Sequence, residues 1–100
     1  NYILDVTITG EINPDSGFIV DIQDIKSIVF KNVIDLLDHS QIEKDIEWFH
    51  GKQPSTENLV LFIWEQISSK IKKPAILYKI KLRETPTIFT EYFGPSINGN

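Results

Sequence analysis

The chain contains no cysteine, so neither a disulfide framework nor a thiolate zinc site can be built from it. Histidine is scarce as well. His39 and His50 are the only two, and without helical spacing between them they do not make a metal pair on their own. No apolar run approaches the roughly 18 residues of a membrane span, and no signal peptide is visible, so no membrane partner is expected. Basic residues are outnumbered, with 10 Lys and Arg against 14 Asp and Glu and a net charge of −4. The clustered basic stripe of a nucleic-acid surface is missing, and no nucleic-acid partner is expected. Lys70, Lys72 and Lys73 form a short basic run, which reads as the solvated end of a helix rather than a phosphate clamp.

What is present suits one small domain. The chain has 100 residues, 41% of them hydrophobic and 24% charged, an ordinary globular balance. A unit of this size buries a modest share of its surface, so self-association is expected. The domain is expected to run over residues 1–94. The polar end, read as a loose tail, covers residues 95–100.

Along the chain, Tyr2, Leu4, Val6 and Ile8 alternate with more polar neighbours, the pattern of a half-buried antiparallel strand. Because the chain opens directly on that strand, further residues are expected upstream. "GEINPDSG", residues 10–17, reads as a turn, and "FIVD" as a short returning strand that closes a hairpin from Tyr2 to Val20. Asp21 is placed to cap a helix whose apolar stripe is Ile22, Ile25, Ile28, Val29, Val33, Leu36 and Leu37. Residues 38–54 lose the period and read as a loop. Ser55 or Thr56 then caps a second helix carrying Leu59, Val60, Ile63, Trp64, Ile67 and Ile71 inward, before Pro74. A closing hairpin follows, with Ile76, Tyr78, Ile80 and Leu82 on one face of its first strand and Ile88 to Phe93 as its second. The expected fold is α+β in β-β-α-α-β-β order, an antiparallel sheet with two helices on one face.

Three places break the pattern. By alternation Glu84 continues the face of Ile80 and Leu82. It either ends the strand in water or sits inward, where a buried carboxylate needs N–H donors such as a flat heterocycle offers. Asp38 and His39 either finish a helix, where the dipole favours a histidine, or form half of a proton relay. "PSTEN", residues 54–58, is either a capping box or a helix start whose free N–H groups hold polar ligand atoms.

Four segments together resemble the 6-pyruvoyl-tetrahydropterin synthase family, which includes the 6-carboxytetrahydropterin synthases. "NYILDVTITGEINPDSGFIVD" is similar to the family's first hairpin, and "LLDHSQIEKD" to its Leu-Asp-His loop. "PSTENLVLFIWEQI" is similar to its Pro-Thr-x-Glu-Asn helix start, and "LYKIKLRET" with "EYFG" to its closing hairpin. The resemblance implies the tunnelling fold (T-fold), a trimeric or hexameric homo-oligomer, a cytoplasmic location, and a lyase that eliminates triphosphate from 7,8-dihydroneopterin triphosphate. It implies a pterin substrate and a role in tetrahydrobiopterin or queuosine biosynthesis. By resemblance Asp38 and His39 match the catalytic Asp-His pair, Glu84 the glutamate that anchors the pterin, and Thr56 and Glu57 the segment lining its pocket.

The same resemblance implies a zinc cofactor held by three histidines, and a cysteine base. All of these match family positions upstream of Asn1, and His50 does not replace them. Whether the product is the pyruvoyl or the carboxy pterin stays open. The other readings are a non-catalytic pterin-binding homologue or structural subunit and, with a poorer fit of spacing, a dihydroneopterin aldolase.

Overall fold

The computed structural model describes residues 1–95. The tail expected over 95–100 lies, from residue 96 on, outside the described residues. Three strands form one antiparallel sheet in the order β1-β2-β3, with β1 at Ile3–Thr9, β2 at Ile76–Arg83 and β3 at Phe89–Tyr92. The class is therefore α+β, as expected. The strand order differs from the expectation in one respect, because no strand forms at Phe18–Val20.

That second strand fails for a local reason. The Asn13 side-chain carbonyl accepts from the backbone N–H groups of Asp15 (2.8 Å) and Ser16 (3.2 Å). The Asn13 N–H itself donates to the Phe18 carbonyl at 2.8 Å. The turn closes on its own backbone, and only two residues then separate Phe18 from the cap at Asp21, too few for a ladder. Strand β1 pairs instead with β2, in a register that sets Leu4 opposite Leu82 and Val6 opposite Ile80.

The register slips once. Thr7 faces Lys79 and Ile8 faces Leu77, so Tyr78 is the surplus residue of a β-bulge. The bulge changes the phase of β2. Leu77, Ile80 and Leu82 are buried, whereas Ile76 and Tyr78 are about half exposed. The unbroken face expected from Ile76 through Leu82 is thus two half-faces joined at Tyr78.

Asp21 caps α1 (Ile22–Val29) as expected, its carboxylate accepting from the Gln23 N–H at 2.9 Å. The helical path continues through a π turn, Phe30–Ile34, into α2 (Asp35–Asp38). The wider turn rotates the stripe. Ile25 and Val33 are buried, while the expected Ile22 and Leu36 are exposed at 59% and 40%. Residues 38–54 are not all loop. They hold α3 (Ile42–Asp45) and a 3₁₀ turn, Glu47–Phe49. Phe49 is fully buried and packs its ring 5.2 Å from Phe62 and 4.7 Å from Trp48.

Helix α4 (Thr56–Ile67) is the central support. Ser55 caps it, accepting from the Asn58 N–H at 3.2 Å. Leu59, Val60, Phe62, Ile63 and Ile67 are all buried, and the helix packs on β2, on β3 and on the π turn. The helices cover one face of the sheet, since Leu4, Val6 and Ile8 lean on the same core as Ile80 and Leu82. The opposite face carries Ile3, Asp5, Lys81, Arg83 and Phe89.

Candidate functional site

The start of α4 and the closing hairpin meet through side-chain hydroxyls. Thr56 is 8% exposed at the first turn of the helix. Its Oγ1 accepts from Thr90 Oγ1 on β3 at 2.9 Å and donates to Glu57 Oε1 at 3.2 Å. Burial of a hydroxyl is tolerated here because both of its hydrogen-bonding roles are filled. Glu57 itself is exposed, at the rim of this small polar cluster. The structure thus joins two of the expected residues, Thr56 and Glu57, and adds Thr90. A signal for Thr90 exists in the sequence: in "FTEY" it shares the phase of Tyr92, so a hydroxyl sits on the inward side of a short apolar strand.

Glu84 stands at the same end of the sheet. Leu82 pairs with Thr90, and Glu84 follows two residues later. Strand β2 ends at Arg83, however, and Glu84 is exposed within the turn leading to β3. The backbone of that turn is closed by Glu84 N–H donating to the Ile88 carbonyl at 2.9 Å. The inward-turned carboxylate therefore does not form in the single chain. The phase is right, but the strand ends one residue earlier, and a solvated carboxylate is cheaper than a buried unpaired one.

Asp38 and His39 end α2, and both are exposed. They do not pair with each other. The His39 Nε2 lies 3.8 Å from Asp35 Oδ1, with both side chains well solvated. Helical geometry explains the choice, because residues four apart share a face and adjacent ones do not. Among the described residues, neither Asp38 nor His39 forms a hydrogen bond or ion pair with Thr56, Glu57 or Glu84. His50 is a surface residue whose Nε2 contacts the Lys44 carbonyl at 3.1 Å.

Two grooves lie elsewhere. One, of about 490 Å³, runs between α1 and the segment around Ile71 and Pro74. The other, of about 500 Å³, runs along Asn13, Phe18 and Ile22. Neither is lined by Asp38, His39, Thr56, Glu57 or Glu84. Among the described residues no three of His, Cys, Asp and Glu gather to hold a metal ion. The donors among the described residues do not fit a zinc ion.

An antiparallel sheet covered on one face by helices is the layout of a domain of the tunnelling-fold class, to which the structural match below assigns it. The chain belongs to the 6-pyruvoyl tetrahydropterin synthase family, whose model matches residues 1–95. It is 36% identical over 100 residues to the 6-pyruvoyl tetrahydrobiopterin synthase of Drosophila melanogaster, covering 99% of this chain and 60% of that protein. It is 38% identical to the Dictyostelium discoideum synthase, covering 94% of this chain and 68% of that one. The Caenorhabditis elegans 6-pyruvoyl tetrahydropterin synthase structure superposes with a TM-score of 0.83 at 33% identity, covering 94% of this chain and 66% of that chain. The chain spans 60% of the length of the fly relative and 68% of the slime-mould one. No helix among the described residues is long and apolar enough to cross a membrane.

Proposed function

We propose that this chain is part of a lyase of pterin biosynthesis that eliminates triphosphate from 7,8-dihydroneopterin triphosphate, and that its end of the sheet holds the pterin ring. The observation that carries this reading is the joining of the "STEN" helix start to the closing hairpin through Thr56 and Thr90. Glu57 borders that junction, and Glu84 follows at the same end of the sheet; both carboxylates can act as acceptors. The amine-rich edge of a pterin is a donor surface, and carboxylate–N–H bonds of this kind are stronger than neutral ones.

Glu84 is exposed in the single chain, so in this proposal the ligand and a second copy of the chain supply the walls around it. The free edges of β1 and β3 offer backbone groups for such an oligomer. Asp38 and His39 take the proton-handling role, with the imidazole as the exchanging group.

The test is titration of 7,8-dihydroneopterin triphosphate, following ring fluorescence and triphosphate release together. Saturable binding with release supports the lyase. Binding without release points to a pterin-binding homologue, and no binding at all defeats both.

A further inference from the structure

The groups it joins set the direction of the hydrogen bond between Thr90 and Thr56. Glu57, as a carboxylate, can only accept. Thr56 has one hydroxyl proton, and it goes to Glu57 Oε1 at 3.2 Å. Its Oγ1 can then only accept from Thr90, at 2.9 Å. The chain of donors runs one way, from β3 to the helix start to the rim carboxylate. One end is anchored in the sheet, where Thr90 pairs with Leu82 in the ladder.

We propose that Thr90 is a positioning residue for pterin recognition. Through Thr56 it fixes one oxygen of Glu57 and leaves the other to accept an N–H from the ring. Without Thr90 the Thr56 hydroxyl regains rotational freedom, and the Glu57 carboxylate loses its orientation at the rim. The effect on a ligand is then entropic, because a carboxylate already held in place loses less freedom on binding. The inference rests on the reading that Glu57 lines the pterin pocket.

The experiment measures the dissociation constant of 7,8-dihydroneopterin for the wild-type chain and for Thr90→Val and Thr90→Ser, with melting temperatures recorded in parallel. Thr90→Ala replaces the valine variant should that one fail to fold. Thr90→Val is expected to bind roughly 3- to 10-fold more weakly, and Thr90→Ser to return to within about 2-fold of wild type, the scale of one hydrogen bond. A purely structural tie would lower the melting temperature and leave affinity unchanged. If the wild type binds and Thr90→Val binds equally well, this inference is overturned while the reading of the pocket stands. Weak binding by both Thr90→Val and Thr90→Ser overturns it too, since the hydroxyl is then not the determinant. A wild type that does not bind pterin defeats the pocket reading, and the inference with it.

Discussion

The indole of Trp64 on α4 meets the ring of Tyr92 on β3 edge-on, with centroids 5.4 Å apart and planes at 80°. The backbone of Gly94 passes over the same indole. A Cβ placed on Gly94 would lie 2.5 Å from Trp64 Cζ2, and the residue's φ is +95°. Both the contact and the conformation require glycine.

Gly94→Ala is therefore expected to destabilise the chain by about 1–3 kcal/mol, combining overpacking with left-handed strain. Urea denaturation followed by tryptophan fluorescence measures this directly. A midpoint unchanged from wild type would show that Trp64 yields freely.

Phe49→Ala should be more severe. The ring is fully buried between Trp48 and Phe62, and truncation of such a ring costs about 3–5 kcal/mol. Against the 5–15 kcal/mol typical of a domain, that is a large fraction of the total, so the melting temperature should fall well below that of the wild type. Circular dichroism against temperature reads the loss.

Arg83 and Asp5 form an ion pair on the sheet face away from the helices, with Nε and Nη2 both directed at one carboxylate oxygen. Each side chain is more than a third exposed, so water and salt screen the attraction. A double-mutant cycle with Arg83→Ala and Asp5→Ala should give a coupling below about 1 kcal/mol, shrinking further in high salt. A coupling of several kcal/mol would mean that the pair is buried in an assembly.

Glu84→Ala is expected to leave stability within about 0.5 kcal/mol, because the exposed side chain makes no ion pair or hydrogen bond among the described residues. Weaker dihydroneopterin binding by this variant would then report on recognition and not on folding. His39→Ala should likewise keep the fold, since it loses only a solvated contact with Asp35. Under the proposed lyase reading it should slow triphosphate release with affinity retained. If both variants behaved as wild type in these assays, the assigned roles would be lost.

Much of the architecture is legible in the sequence. The cap at Asp21, the stripe of α4 from Leu59 to Ile67 and the closing hairpin all follow from local patterns that tertiary contacts reinforce. Phe49 escaped notice because a single turn of 3₁₀ helix has no period to detect. The slip at Tyr78 is decided by pairing with residues some seventy positions away, which no short window contains. The strand expected at Phe18 is lost to the side-chain turn at Asn13, which composition marks as a turn without fixing where it closes.

The candidate site was legible in part. Thr56 stood out by its capping context, whereas the Asp35 contact of His39 depends on which residues share a helical face. Glu84 is in phase with the inward residues, but the end of β2 at Arg83 cannot be counted from alternation.

Tyr78 gives β2 a spare length. Excising that one residue would leave Leu77 and Ala75 in step with Ile80 and Leu82, so the ribbon could straighten with the same side chains inside. The surplus residue serves the outside, where its ring meets Phe93 at 5.5 Å. A deletion at this position would thus strip an aromatic handle from the solvent face of the sheet while sparing the interior.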